Sequence, residues 1–393
     1  MSLRIARRME GIERTLIRRI FDAAPPDAIQ LGLGQPDLVS PPSVCLAGVQ
    51  AIAEGRTGYT STAGDPELRA AVAARYRPHV EDASGVAITI GSQEAMFAAC
   101  LTLLDPGDEV LYPDPGYPAY PVVARLVGAT GVPYPLRAER AFRLDAADVL
   151  SRVTPRTRLA IVCSPGNPTG AVHRREDLDA LCEGLRSAGV AWLSDEIYGG
   201  YVYDGSCPSP LEIAPDAGLV VSGLSKDLCM TGWRIGWVAG PAAIVSRVIA
   251  AHQYLVTCAP TPSQRAALAA FRPAGEEERR AILERFRTRR ALMAEGLARV
   301  PGVRFALPDG AFYFFVDVSA HGDSLEVARR ILERRRVVTI PGEAFGARGA
   351  GWLRLSYAAS EEAIVEGVSR IAEELALPAR HCAGAGGEAE SLA

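Results

Sequence analysis

Of the 42 basic side chains in this 393-residue chain, 41 are arginines and one, Lys226, is a lysine. Arginine replaces lysine wherever only positive charge is needed, but a guanidinium stays protonated and forms no Schiff base. The one surviving amine therefore points to nucleophilic chemistry on a carbonyl. It stands in Ser222-Gly223-Leu224-Ser225-Lys226, just past an apolar strand-like run. Ligand crevices open at such carboxyl ends in α/β sheets, and apolar walls there would strip water from the amine and free it near neutral pH.

Other segments carry groups suited to a small anionic ligand. Arg234 follows in Met230-Thr231-Gly232-Trp233-Arg234, and its planar guanidinium suits a phosphate. Gly91-Ser92-Gln93-Glu94-Ala95 joins a strand pattern to a helix pattern, where free backbone N–H groups can cradle a phosphate. Ser164-Pro165-Gly166-Asn167-Pro168-Thr169-Gly170 reads as a rigid loop that fixes the Asn167 amide, although the segment alone favours a plain turn. Asp195 and Tyr198 follow a further strand. A carboxylate at an apolar strand end needs a partner, which a protonated heterocyclic nitrogen would supply; taken singly, Asp195 is equally an N-cap. A lysine for an aldehyde, an anion site for a phosphate and a carboxylate for a ring nitrogen together suit pyridoxal 5′-phosphate (PLP).

The elements that must position these groups follow from the apolar pattern. Residues 86–90, 108–112, 158–163, 190–194 and 219–222 read as short strands, and 92–104 and 176–188 as helices. Strands apolar on both faces, alternating with helices, predict a mostly parallel sheet covered by helices. After about residue 270 the texture changes to α+β: a charged helix over 276–299 with Glu276 and Arg280 at i,i+4, strands at 312–316 and 352–357, and helices at 325–335 and 361–375. The expected organisation is a large domain over 43–270, a smaller one from 1–42 and 271–378, and a disordered tail over 379–393. Residues 12–21 read as an amphipathic helix in which Arg14, Arg18 and Arg19 form a solvated face.

Composition excludes several classes. A hydrophobic share of 48% with 22% charged residues is globular usage, and a net charge of −4 argues against a nucleic-acid or anionic-membrane partner. No run approaches the roughly 18 apolar residues of a membrane span, and the Arg-rich start lacks the apolar core of a signal peptide. Eight scattered cysteines without a CxxC pair read as reduced thiols of a cytoplasmic protein, and five histidines without metal spacing predict no metal centre.

In order, Leu33-Gly34-Gln35-Pro36-Asp37, Gly58-Tyr59-Thr60-Ser61-Thr62-Ala63-Gly64, Gly91-Ser92-Gln93-Glu94-Ala95, Pro113-Asp114-Pro115-Gly116-Tyr117, Asn167-Pro168-Thr169-Gly170, Asp195-Glu196-Ile197-Tyr198, Ser225-Lys226 through Gly232-Trp233-Arg234, and Arg354-Leu355-Ser356-Tyr357 resemble the class I/II aminotransferases. These are fold-type I PLP enzymes of the aspartate aminotransferase superfamily, and the likeness runs from about residue 31 to 375. The resemblance implies that Lys226 holds PLP as a Schiff base and shuttles the substrate proton. It implies that Asp195 keeps the pyridine nitrogen protonated, that Tyr198 and Asn167 bond the ring oxygen, and that Tyr117 stacks on the ring. Ser92, Gln93, Ser225 and Arg234 would bind the phosphate, joined by Tyr59 from the partner subunit of a homodimer. Arg354, helped by Asn167 and the Gly34 backbone, would clamp the substrate carboxylate. Two departures stand out: Gly223 occupies a position that many relatives fill with a hydroxyl, leaving Ser222 as a candidate replacement. Gln93 stands where some relatives acting on acidic substrates carry lysine.

The activity expected is transfer of an amino group from an L-amino acid to a 2-oxo acid, by a ping-pong route through pyridoxamine phosphate. A PLP-dependent lyase or cyclase on the same fold is the alternative. A PLP-sensing DNA-binding regulator is discounted, because about 30 residues ahead of the family-like region are too few for a helix-turn-helix domain.

Overall fold

The apolar runs become the interior of one seven-stranded sheet in the computed structural model, which describes residues 3–376. In chain order the strands are β1 (Ile29–Gln30), β2 (Val86–Thr89), β3 (Glu109–Asp114), β4 (Thr130–Pro135), β5 (Thr157–Cys163), β6 (Ala191–Asp195), β7 (Gly218–Gly223) and β8 (Gly236–Ala239). They continue with β9 (Arg304–Phe305), β10 (Tyr313–Asp317), β11 (Val337–Val338), β12 (Ile340–Pro341) and β13 (Trp352–Ser356). The large sheet has the order β2-β8-β7-β6-β5-β3-β4. The pairings from β4 through β7 are parallel, and β8 is antiparallel to both of its neighbours, so the sheet is mostly parallel.

Both faces of the sheet are covered. Along β5, Leu159, Ile161 and Cys163 join one buried cluster, whereas Ala160 and Val162 join the other, as a two-residue period requires. The helix Gly91–Leu103 packs on β7 and β8, Arg175–Ser187 on β6, and Ala242–Val256 on β2. A second sheet of order β12-β13-β10-β9 is antiparallel throughout, and β1 pairs with β11 in a short parallel ladder. The helix Ser324–Arg335 packs on β11, β12 and β13, Glu361–Leu375 on β1 and β11, and Pro273–Leu297 against Glu361–Leu375.

Some expectations need correction. β4 carries Pro133, Pro135 and Gly131, which hide a strand in the sequence pattern; it is tolerated because β4 is a sheet edge. Glu276 pairs with Arg279 at 2.7 Å, not with Arg280, because Arg279 is also drawn to the buried Asp227 at 3.0 Å. That helix is not a wholly solvated one, since Ile282, Phe286, Arg289, Met293 and Leu297 are buried along it. At the start of the chain the helix is Leu16–Ala23, set by Thr15, whose Oγ1 accepts from the Arg18 amide at 3.2 Å. Arg14 and Arg18 both pair with Asp22 on its exposed face.

Among the described residues, seven cysteines are free, no cluster of side chains could hold a metal, and no helix is long and apolar enough to cross a membrane. The expected tail over 379–393, with Cys382, lies outside the described residues.

Candidate active site

Strand ends and the turns that follow them surround one cavity. It is lined by Ser92, Gln93, Tyr117, Asn167, Asp195, Tyr198, Ser225, Lys226 and Arg234, with Met96, Tyr120, Cys163, Ile197 and Thr231. Asp195 ends β6, Cys163 ends β5 beside it in register, and Lys226 stands three residues past β7.

The Lys226 amine donates to the Gly34 carbonyl at 2.7 Å. A carbonyl is a weak counterweight to a charge, so burial, aided by Arg354 and Arg234, pulls the amine down to about 8. Gly34 has no room for a side chain, because a Cβ there would collide with the Tyr313 hydroxyl. The segment carrying Gly34 is pinned by Asp37, which accepts from Arg289 Nη1 and Nη2 at 2.6 and 3.0 Å.

Asp195 is buried and accepts from the Tyr120 hydroxyl at 2.9 Å and from the Ile197 amide at 3.2 Å. The second bond is the local turn role open to it from sequence; the first is not local. Burial raises the Asp195 carboxyl despite these donors. A cationic partner in the cavity would favour its charged form.

At the other end, Gly91 opens the helix Gly91–Leu103 with φ of +78°, and Ile90 supplies no side-chain cap, so the first-turn amides are open to an anion. Arg234 lies against this turn: a Cβ on Gly91 would stand 2.6 Å from its Nη2. Arg234 donates only to the carbonyls of Thr231, at 2.9 Å, and Ile90, at 3.4 Å, and among the described residues it has no acidic partner. Behind the turn, Glu94 accepts from the Ile90 amide at 3.1 Å and meets the buried His252 Nδ1 at 3.1 Å.

Arg354 projects from β13 and is 2% exposed. Its Nη1 donates to Asn167 Oδ1 at 2.9 Å and its Nη2 to the Gly32 carbonyl at 2.6 Å, while its Nε has no partner among the described residues. The guanidinium lies 4.4 Å from the Tyr313 ring centroid and 4.7 Å from that of Phe345. A buried cation held by carbonyls and aromatic faces is a receptor for a carboxylate. Tyr198 and Tyr313 share a hydrogen bond of 2.8 Å, and Tyr117 donates to Gln93 Oε1 at 3.1 Å.

These residues fit PLP. Arg234 and the open helix start suit its phosphate, Asp195 its ring nitrogen, and the desolvated Lys226 amine its aldehyde. Ser222 Oγ donates to the Glu196 carbonyl at 3.0 Å and, like Arg354 and Gly34, is not among the residues lining the cavity. Tyr59 is 88% exposed and is not brought to the cavity by its own chain. Sequence reading missed Tyr120, Tyr313, Thr231, Cys163, the Glu94–His252 pair and the Asp37–Arg289 pair. Tyr120 follows Tyr117 by three residues, the one local signal among them.

The family model described as aminotransferase class I and II matches residues 26–371. The aspartate aminotransferase of Pyrococcus horikoshii is 35% identical, covering 94% of this chain and 97% of that protein. The arginine–pyruvate transaminase of Pseudomonas aeruginosa is 36% identical over 88% of this chain and 89% of its own length. Among solved structures, Thermus thermophilus aspartate aminotransferase with maleate superposes with a TM-score of 0.89 at 34% identity, over 95% of this chain and all of that one. Fold, cavity chemistry and these likenesses agree: the chain belongs to the class I and II aminotransferases, enzymes that work with PLP.

Proposed function

We propose that the enzyme holds PLP on Lys226 and moves an amino group from an L-amino acid to a 2-oxo acid. The observation that carries this reading is the buried amine of Lys226, set at a carbonyl and in the field of Arg354 and Arg234, neither of which has an acidic partner among the described residues. When bound, PLP supplies an electron sink for the carbanion left at the substrate Cα. Arg234, with Ser92, Gln93 and Ser225, would hold the phosphate. Asp195 would hold a proton on the ring nitrogen, kept aligned by Tyr120. Tyr198 and Asn167 would bond the ring oxygen, and Tyr117 would cover the ring face. Arg354 would take the substrate α-carboxylate, for which its Nε, without a partner among the described residues, is a free donor. Lys226 Nζ would then carry the proton removed from Cα.

The names of the relatives span aspartate, prephenate and arginine with pyruvate. What those substrates have in common is the α-amino or 2-oxo acid group that Arg354 is built to meet. Elimination is not favoured, because the named relatives are aminotransferases or transaminases. Tyr59 is assigned to the phosphate of the partner subunit in a homodimer, consistent with its exposure, and the protein to the cytoplasm. The large domain is placed at 43–270 and the small one at 1–42 with 271–378.

Adding an amino donor alone to the PLP-loaded enzyme should bleach the visible band once per site and release one 2-oxo acid. Ammonia released over many turnovers without an acceptor would make it a lyase instead.

A further inference from the structure

Tyr313 lies outside every motif that carries the resemblance, yet it touches three parts of the site. Its hydroxyl is 2.8 Å from that of Tyr198, its ring lies under the Arg354 guanidinium, and it fills the space beside Gly34, whose carbonyl holds Lys226. The two hydroxyls are buried and either proton could lie between them. Their surroundings decide the direction. Tyr198 lines the cavity and can send its proton there. Tyr313 does not line it, and Tyr198 is its one hydroxyl partner among the described residues. A cation over the Tyr313 ring also strengthens that phenol as a donor.

We propose that Tyr313 is a positioning residue: its hydroxyl donates to Tyr198 and thereby fixes Tyr198 as a donor toward the cofactor's ring oxygen. The proposal rests on the PLP reading above. A hydroxyl that accepts one hydrogen bond donates the next more strongly. Removing the Tyr313 proton weakens the Tyr198 donor and leaves the ring oxygen, and the linkage to Lys226 beside it, more basic.

The test is the pH midpoint of the visible absorbance of PLP-loaded wild type, Y313F, Y198F and the double variant. Y313F should raise the midpoint by about half to one pH unit, the worth of one net hydrogen bond. In the Y198F background the same change should add almost nothing. An unchanged midpoint in Y313F overturns the proposal, as does an equal shift in both backgrounds, because Tyr313 would then act without Tyr198. If Y313F does not fold, Tyr313→Leu removes the same donor and must raise the midpoint in the same direction. Failure of the wild type to take up PLP, or of borohydride to fix it at Lys226, overturns the PLP reading and this proposal with it. That result is distinguishable from a loaded enzyme whose midpoint does not move.

Discussion

Lys226 is poised by what it lacks. Its amine is buried against a carbonyl, not a carboxylate, and burial, with two arginines adding to it, biases it toward the neutral form, so its pKa falls to about 8. At pH 7 roughly a tenth of such amines are neutral, against fewer than about one in a thousand for an ordinary lysine. The rate at which the apo-enzyme takes up PLP should therefore rise with pH and level off above about 8, measured by growth of the visible band. A rate still climbing in proportion to hydroxide beyond pH 9 would contradict this. Arg354 makes the complementary case on the substrate side. Arg354→Ala should lower kcat/KM by about a hundredfold to a thousandfold, the cost of removing a buried charge partner. Steady-state kinetics checks it, with a PLP titration to show that the variant still binds the cofactor.

Each of these side chains is aimed by an element end. The turn from β2 into the helix Gly91–Leu103 needs a left-handed residue and allows no side chain against Arg234. Gly91→Ala should cost about 1–2 kcal/mol in backbone strain and displace the guanidinium, weakening PLP binding tenfold or more. Thermal unfolding of the apo-protein and a PLP titration measure the two effects; unchanged PLP affinity would remove Arg234 and this turn from the phosphate site. The same element ends explain what the sequence made legible. Lys226, Asp195 and Asn167 follow apolar strands directly, and strand-then-polar is a local pattern. Tyr120 meets Asp195 across 75 positions, Tyr313 meets Tyr198 across 115, Glu94 meets His252 across 158, and Asp37 meets Arg289 across 252. No local pattern encodes pairs so distant. β4 stayed hidden for another reason, since an edge strand tolerates the prolines that argue against a central one.

At the scale of the whole molecule, the exposed Tyr59 sets the question of how many chains make a site. If it serves the partner's phosphate, mixing Y59A and K226A subunits should restore activity, because one site of each hybrid would have both residues intact. Activity of the mixture no higher than that of Y59A diluted to the same extent would place Tyr59 elsewhere. The composition of the chain makes the central claim unusually direct to check: among 42 basic side chains there is one lysine. Borohydride reduction of the PLP-loaded enzyme, followed by peptide mass mapping, should put one pyridoxyl group per chain on Lys226. A label on any other position, or none on an active enzyme, would contradict the account.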